Sequence, residues 1–556
     1  MSTKKKIRVG LLIDDFLIPF WAFRMIENIS SSSFAEVVLI VKKKSSSNKR
    51  SSFIRKIQKN YHLFFYKLYR KIEDNLFKIT PNAFEYKDLK PLIKTSQVLE
   101  VTCIEKNFSD YIQENDIRQI KGLDVDVFVR LGFRILRGEI LKASKFGVWS
   151  YHHGDNKVNR GGPAGFWEVF GRKREIGSVL QILTEDLDGG KVLYRSWSTV
   201  HRLLNHSLNI FYWKTSLFIP RKLKELFESG EHAFRQKLTS ENEKLEFYSH
   251  PLFTAPRNSK FLVLFFSHYW DWLKLNVWKL FNFEQWILLY AFNKRGIATS
   301  VFTYKRLIPP RDRFWADPFV IYEEGKYYIF LEELIYKKQK GHLAVMEIDA
   351  NGSYKLPTVI LERSYHLSYP FIFKYEGEYY MIPESTENST IELYHAVGFP
   401  FKWEFCMNLM ENVSAVDTTL FIKDNKFWLF TCIKEIEGAA MSEELFLFCA
   451  NELFTNTWES HPLNPVISDV KYARPAGRMF YHNGKLYRPS QDSSYKYGYS
   501  TVINEVLVLN EREYQECKVS EISPNWATDV KATHTLSFDQ NLTVIDAAIN
   551  RKKWFN

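Results

Sequence analysis

A chain of 556 residues is too long for one ordinary hydrophobic core, so we expect two or three domains. Hydrophobic residues make up 45% and charged residues 25% of the chain, which is typical of globular proteins and excludes a disordered or fibrous chain. The net charge is +12, yet the segment from Lys42 to Ile72 alone holds eleven lysines and arginines and no acidic residue. Because this charge is local, the sequence does not indicate nucleic acid as a partner.

Cysteine usage and hydropathy bear on location. The five cysteines are scattered along the chain, which favours a reduced compartment and predicts neither a disulfide framework nor a metal site. No run of 18 apolar residues occurs, and Asp14 and Asp15 interrupt the first apolar run, which predicts a buried strand instead of a signal peptide. These features predict a cytoplasmic protein, with attachment to the inner face of a membrane as the alternative.

Residues 1–205 predict an open, Rossmann-type α/β sheet. Short apolar runs suited to buried parallel strands occur at 7–13, 36–41, 124–130 and 147–150, and a helix is expected over 20–29. In such sheets functional groups follow the carboxyl ends of the strands, and His152 lies just after the last of these runs.

A basic insertion over 42–77 interrupts this domain. From Ile54 to Ile72, apolar residues recur at helical spacing with lysines and arginines between them, which predicts a basic amphipathic helix. Such a helix either packs on its own domain with a solvated basic face, or lies on a partner or an anionic membrane surface through Lys42–Lys71. The sequence leaves both interpretations open.

An ordered set of polar residues follows the strand at 147–150. The set consists of Ser150-Tyr151-His152-His153-Gly154, Arg160-Gly161-Gly162-Pro163 and Leu187-Asp188-Gly189-Gly190. Its order and its His-to-Asp spacing resemble the core of the formyltransferases that use 10-formyltetrahydrofolate, with Ser150 at the position of that family's asparagine. Upstream, Ile135-Leu136 resembles the pair that lines the folate pocket of the family.

This resemblance implies a role for each matching residue. His152 would transfer protons, Asp188 would orient it, and Ser150 would be a weaker donor to the oxyanion. The residues implied in binding 10-formyltetrahydrofolate are Ile135, Leu136, Arg160, Gly161 and Asp188. The family members that modify amino sugars are the better analogy, because the RNA-binding barrel of the tRNA-specific branch is not recognisable.

Residues 206–284 predict a helical, aromatic-rich connector. Its last part, 261–286, is strongly aromatic but contains Asp271, Lys274 and Lys279, so it predicts an amphipathic segment that does not span a membrane. We expect it to pack between the two halves of the protein.

From residue 285 the chain contains an internal repeat of a strand, a turn and a second strand. The copies begin about 50 residues apart, at Asp317, Tyr369, Asp417 and Arg474, and a degenerate fifth copy lies near Thr533. Five such units are typical of a β-propeller. The sequence therefore predicts an all-β five-bladed propeller over 285–556.

Four residues of the propeller form a candidate carbohydrate site. Asp317 and Asp417 share one phase of the repeat, which faces the central channel, while Glu384 ends the second repeat and Arg474 opens the fourth. Paired carboxylates are typical of glycoside hydrolysis, but the arginine favours binding an anionic group, and aspartates at blade starts also stabilise turns. The module resembles the propellers of furanosidases and the N-terminal domain of plant glucosamine inositolphosphorylceramide transferases.

The sequence thus predicts a transferase of two modules. The N-terminal domain would pass a formyl group from 10-formyltetrahydrofolate to an amino sugar, and the propeller would hold the carbohydrate. The alternative is a carbohydrate-active or carbohydrate-binding propeller protein with a degenerate formyltransferase domain. The oligomeric state stays open.

Overall fold

The protein is multidomain and mostly β. The structure is a computed structural model that describes residues 4–44, 61–186, 189–244, 247–294 and 296–553. Its contacts divide the chain into two compact units. The first unit is Met1–Tyr269 with Ile436–Ala439, and the second is Trp270–Glu435 with Ala440–Asn556.

The first unit combines strands with helices. Its strands are β1 (Ile7–Ile13), β2 (Leu17–Pro19), β3 (Ala35–Lys43), β4 (Tyr86–Asp88), β5 (Gln97–Val101), β6 (Cys103–Lys106), β7 (Ser109–Ile112), β8 (Val127–Arg130), β9 (Ile135–Arg137), β10 (Val148–His152), β11 (Arg160–Gly161), β12 (Glu175–Ile182), β13 (Lys191–Thr199) and β14 (Leu252–Phe253). Its helices are α1 (Phe20–Ser30), α2 (Phe64–Leu76), α3 (Glu114–Lys121), α4 (Phe166–Phe170), α5 (Leu204–Thr215), α6 (Phe218–Glu241) and α7 (Asn258–Phe281). The division between the two units falls within α7.

A seven-stranded open sheet forms the centre of the first unit. Its order is β13-β12-β10-β8-β1-β3-β5, and the five strands from β10 to β5 run parallel. The apolar run Ile7–Ile13 forms the middle one of these five parallel strands, as expected for a strand covered on both faces. Strand β10 therefore delivers Ser150 and His152 to the carboxyl edge of the sheet.

Much of the predicted connector belongs to this first unit. Phe211 and Trp213 of α5 and Phe218 and Leu223 of α6 are fully buried in its cores. The predicted domain limits at 205 and 284 therefore differ from the limits of the compact units, because these helices need the sheet to bury their apolar faces.

The basic insertion is described only in part, since residues 45–60 lie outside the described residues. Before that gap, Lys42 pairs with Glu100 at 2.8 Å on the edge of the sheet. After it, α2 accounts for the end of the predicted helix. Buried Glu73 anchors α2, because its carboxylate accepts the backbone N–H groups of Leu204 and Asn205 at the start of α5.

The second unit consists of strands β15 to β35. These are β15 (Asn282–Phe292), β16 (Lys305–Leu307), β17 (Arg313–Glu323), β18 (Lys326–Ile335), β19 (Lys340–Ile348), β20 (Thr358–Leu361), β21 (Ser368–Tyr375), β22 (Glu378–Ser385), β23 (Thr390–Gly398), β24 (Lys402–Glu411), β25 (Ala415–Lys423), β26 (Lys426–Ile433), β27 (Leu445–Ala450), β28 (Glu459–Ser460), β29 (Phe480–His482), β30 (Lys485–Asp492), β31 (Ser500–Leu509), β32 (Tyr514–Ile522), β33 (Val530–Ala532), β34 (Leu536–Asp539) and β35 (Leu542–Lys552).

These strands form five antiparallel sheets, the arrangement of a five-bladed propeller. Four sheets are consecutive meanders, β17 to β20, β21 to β24, β25 to β28 and β29 to β32. The fifth has the order β16-β15-β35-β33, and β34 also pairs with β35. Strands from both ends of the unit thus complete the last blade.

Backbone contacts join the first, fourth and fifth blades around the channel. Ser537 of β34 accepts the N–H of Val320 on β17 at 2.9 Å, and the N–H of Leu536 donates to the carbonyl oxygen of Ala476 at 2.8 Å. Gly477 follows directly, with φ of 122°, and a Cβ there would lie 2.0 Å from the carbonyl oxygen of Leu536. Only glycine therefore fits between the fourth and fifth blades.

We expect Gly477→Ala to lower the free energy of unfolding by about 3 kcal/mol, because it adds a clash to an unfavourable φ. The matched control is Gly484→Ala, at φ of 77° with nothing within 4 Å, which should lower it by about 1 kcal/mol. Urea unfolding followed by tryptophan fluorescence measures both. Equal losses would contradict the close contact at Gly477.

Candidate functional site in the propeller channel

Three of the innermost strands share one local distortion. Strands β17, β21 and β25 each contain a β-bulge, in which Asp317, Tyr369 and Asp417 have φ of 52°, 44° and 51°. This left-handed region is unfavourable for such residues, so the surrounding contacts must hold them there. A bulge changes the direction in which its side chain points. The side chains at the same repeat position of three blades are thereby directed to one place.

Arg474 joins two of the predicted residues. Its Nε and Nη2 donate to the two carboxylate oxygens of Asp417 at 2.6 and 3.2 Å, and Nη2 also donates to Oε2 of Glu384 at 3.3 Å. Its Nη1 donates to the hydroxyl of Ser442 at 3.1 Å. The amide of Gln491 donates to Asp417 as well, at 2.8 Å. Three blades therefore meet in one charge-assisted network.

Burial determines the protonation of this network. It raises the pKa of Glu384 well above its usual range, and the negative charge of Asp417 adds to that effect, while Arg474 offsets only part of it. Burial lowers the pKa of Arg474, but the charge of Asp417 outweighs this and raises the pKa overall. The surroundings of Glu384 therefore favour its protonated form, beside the ion pair of Arg474 and Asp417.

Asp317 lies in a second group with His534 and Asp546. Its carboxylate accepts a hydrogen bond from the hydroxyl of Thr535 at 2.8 Å and lies 3.4 Å from Nε2 of His534. The other ring nitrogen of His534 lies 2.7 Å from Oδ2 of Asp546. The backbone N–H groups of Asp317, His534 and Thr535 all donate to Asp546.

The two carboxyl groups keep His534 charged. Burial lowers the pKa of His534, but Asp546 and Asp317 outweigh it and raise the pKa to about 9. Burial raises the pKa of Asp317, and the positive charge of His534 opposes that rise. The ligand atoms of these three residues lie within 4.8 Å of one another, a spacing that a cation could bridge. The oxygens of Asp546 already accept three backbone N–H groups, so an imidazolium between two carboxyl groups explains the arrangement.

Aromatic rings accompany these groups. The ring of Tyr497 is 49% exposed, and its centroid lies 5.0 Å from Cζ of Arg474 and 5.5 Å from the ring of His534. The ring of Trp286 lies 4.2 Å from His534. We name Asp317, Glu384, Asp417 and Arg474 the channel cluster. It combines carboxyl groups with a cation, and the exposed ring of Tyr497 lies beside it.

The sequence missed several members of this site. The degenerate fifth copy near Thr533 placed His534 at the start of a repeat, but no sequence pattern identified Asp546 on the last strand. Tyr497 lies between β30 and β31, and its sequence Tyr495-Lys496-Tyr497 has the appearance of an ordinary polar loop.

The motif predicted in the first unit has a structural explanation. Ser150 is only 2% exposed, and its hydroxyl accepts a hydrogen bond from Nη1 of Arg130 at 3.2 Å. Nε2 of His152 lies 2.8 Å from the carbonyl oxygen of Asn159, so this nitrogen is bonded to the protein's own backbone. Asp188 lies outside the described residues, and its predicted contact with His152 stays untested.

The residues predicted to bind 10-formyltetrahydrofolate occupy separate structural positions. Leu136 is buried in an apolar core, and neighbouring Ile135 pairs with Ser109 of β7. The guanidinium of Arg160 lies 4.5 Å from the ring of Tyr248. Gly161 has φ of 100°, and a Cβ there would lie 2.2 Å from the carbonyl oxygen of Phe253, which explains its glycine. Binding of the folate by these residues stays a prediction.

The five sheets define the second unit as a β-propeller. Residues 297–536 of this propeller match the family described as "Glucosamine inositolphosphorylceramide transferase 1, N-terminal", a match that covers less than half of the chain. Glucosamine inositolphosphorylceramide transferase 1 of Oryza sativa subsp. japonica is 32% identical over 210 residues, which are 37% of this chain and 28% of that protein. The chain thus spans little more than a quarter of the length of this relative.

Two solved structures show weaker likeness. Zg3597, a family 117 glycoside hydrolase of Zobellia galactanivorans, is 13% identical and covers 48% of this chain and 91% of its own, with a TM-score of 0.32. The glycinamide ribonucleotide transformylase 1 of Symbiobacterium toebii is 11% identical and covers 41% of this chain and 94% of its own, with a TM-score of 0.26. Neither likeness is strong enough to carry an argument.

The prediction of formyl transfer from 10-formyltetrahydrofolate to an amino sugar is wrong. The family match and the plant relatives are named as glucosamine inositolphosphorylceramide transferases, and they favour the alternative of a carbohydrate-active propeller protein. The spacing of Ser150, His152 and Asp188 did not predict the function, because glycine turns after a buried strand also serve a purely structural role.

Proposed function

We propose that this chain binds the sugar portion of a glycan or glycolipid at the channel cluster. The observation that carries this proposal is Arg474, which joins Asp417 to Glu384 beside the half-exposed ring of Tyr497. Carboxylates accept hydrogen bonds from sugar hydroxyls, a neutral carboxylic acid also donates one, and an aromatic ring offers an apolar face. The names of the relatives combine glucosamine with inositolphosphorylceramide, which supports a sphingolipid glycan as the substrate class.

A second candidate is acid–base chemistry at a glycosidic bond, as a glycosyl transferase or hydrolase would need. The specific observation in its favour is the different surroundings of two carboxyl groups. Burial and the charge of Asp417 raise the pKa of Glu384, which favours its protonated form and suits the general acid. Burial raises the pKa of Asp317 to about 7, although the cationic ring of His534 opposes the rise, and a carboxyl group that exchanges its proton near neutral pH suits the general base.

Sugar binding is tested at the exposed ring. We expect Tyr497→Ala to weaken binding about tenfold, because it removes the apolar face beside Arg474. The matched control is Tyr495→Ala in the same loop, whose ring packs against Tyr499 at 5.1 Å. Quenching of tryptophan fluorescence reports binding, since Trp286 lies beside His534. The probes are saccharides that contain glucosamine, inositol or inositol phosphate.

Glu384→Gln separates the two candidates. An amide keeps the hydrogen bonds but cannot supply a proton, so binding should persist while any cleavage or transfer of an activated glycoside is lost. No binding of any saccharide by the wild type would contradict the proposal of sugar recognition. Binding without any bond cleavage or transfer by the wild type would contradict the second candidate alone.

A further inference from the structure

Helix α7 is unusual in how little of it is buried. Of its 24 residues, only the side chains of Phe261 and His268 are buried, and both lie in its first half. The second half, from Trp270 to Phe281, contains no buried side chain, although three tryptophans, Trp270, Trp272 and Trp278, are among its residues. A helix in water gains most of its stability by packing an apolar face, so this half requires a cover.

The exposed residues form a continuous apolar stripe. The stripe is spaced alternately by three and four residues, which places all of its members on one face of the helix. Each member is between 46% and 66% exposed, and together they are Val263, Phe266, Trp270, Leu273, Val277 and Leu280. We name this set the α7 stripe. A contiguous exposed apolar patch of this kind marks an interaction surface.

Basic residues accompany the α7 stripe. Lys274 and Lys279 are exposed on the same helix, and Nζ of Lys274 lies 5.7 Å from the ring of Trp270. One acidic residue of this half, Asp271, precedes both lysines, and its carboxylate lies 3.9 Å from Nζ of Lys274. Tryptophan and lysine together are typical of a boundary between lipid and water, where an amphipathic ring and a long charged side chain both reach the headgroups.

Helix α2 adds more charge next to the first half of α7. The ring of Tyr69 on α2 lies 5.6 Å from that of Phe261, and Asn258 at the start of α7 accepts the N–H of Phe65 at 3.1 Å. Exposed Lys67 and Lys71 lie on α2. It also exposes large apolar side chains, namely those of Phe64, Phe65, Leu68, Ile72 and Leu76. The part of the sequence that holds eleven basic residues and no acidic one ends within this helix, at Ile72, and Glu73 and Asp74 after it pair with Arg70.

We propose that α7 binds an anionic membrane surface, lying in the plane of the interface with the α7 stripe among the lipid chains. Lysines beside an apolar face attract anionic headgroups, and each contributes about 1 kcal/mol near such a surface. No helix within the described ranges is long and apolar enough to cross a membrane, so an in-plane position is the one this helix can take. A second copy of the chain would bring two basic regions together and is disfavoured. This inference does not depend on the proposed sugar site.

Vesicle co-sedimentation with the full chain tests the proposal. The vesicles contain phosphatidylcholine alone, or phosphatidylcholine with about one-third phosphatidylserine. The test variant is Phe266→Gln/Trp270→Gln/Leu273→Gln, which keeps good helix formers. We expect it to weaken binding to the anionic vesicles about tenfold or more. The control is Phe108→Gln/Phe247→Gln/Phe302→Gln, three aromatic residues that are 77% to 86% exposed elsewhere, and it should bind as the wild type does.

A charge variant tests the electrostatic part. Lys274→Gln/Lys279→Gln should weaken binding to the anionic vesicles by about tenfold or more and leave binding to neutral vesicles unchanged. Circular dichroism verifies that each variant stays folded. Wild-type affinity in the stripe variant would overturn the proposal. A wild-type chain that binds no vesicles would also overturn the proposal. This holds for a monomeric wild type and for one that forms a dimer that the stripe variant dissociates.

Discussion

Replacing Arg474 with methionine is expected to lower the free energy of unfolding by about 3–5 kcal/mol and to abolish sugar binding. The guanidinium is bonded to both oxygens of Asp417, which lies deep in the channel, and to Glu384. Without it, the buried negative charge of Asp417 has no cation beside it, and the penalty for burying that charge remains. Urea unfolding and saccharide titration measure the two effects.

Arg488→Met is the matched control for this prediction. Arg488 is also buried, and it donates two hydrogen bonds to Glu516, at 2.7 and 2.6 Å, on the fourth blade. Its loss should lower stability to a similar extent but leave sugar binding intact in the folded protein. Adding Asp417→Asn to Arg474→Met should recover part of the lost stability, because it removes the isolated charge. A fully stable Arg474→Met variant would contradict the network.

The stability of the propeller is expected to fall by up to about 3 kcal/mol between pH 6.5 and about 9, through His534. Its pKa in the folded chain is about 9, above the ordinary value of 6.5, so the folded state binds the proton more tightly. This stabilisation is complete below pH 6.5 and is lost as the pH rises through 9. The pKa of Asp317 is also raised, to about 7, so its deprotonation likewise lowers stability as the pH rises, over a lower pH range. Thermal unfolding across this pH range measures the loss.

His461→Gln is the control and His534→Gln is the test. Burial lowers the pKa of His461, so its contribution is present at high pH and is lost as the pH falls. We expect His534→Gln to flatten the alkaline decline and His461→Gln to leave it in place. An unchanged decline in His534→Gln would mean that other groups cause it.

The channel cluster could be predicted because the propeller is a repeat. Once the repeat position of one blade is known, Asp317 and Asp417 follow, while Glu384 ends the second repeat and Arg474 opens the fourth. Asp546 and Tyr497 could not be found this way, because one lies on a closing strand and the other in a loop without a counterpart. A sequence shows which residues occupy the same position of a repeat. It does not show which residues of unrelated strands and loops come together in the fold.

The first unit illustrates the opposite case. Its buried strands were predicted near their observed positions, because a strand covered on both faces is a continuous apolar run. The function attached to Ser150 and His152 was not, since residue order does not show that a ring nitrogen faces the carbonyl oxygen of Asn159. The expected packing of 261–286 between the two halves of the protein stays a prediction, and the second half of α7 contains no buried side chain. An apolar face has the same periodicity whether or not it is covered, so the sequence could not show that this half is exposed.

The fifth blade of the propeller extends beyond both ends of the family match. The family match ends at residue 536 and begins at residue 297. Strand β15 precedes that range and β35 follows it, yet the two pair along their full length. Asp546, which holds His534 against Asp317, lies on β35. The part of the chain that matches the family therefore contains the four residues of the channel cluster but not the strand pair that closes the ring around them.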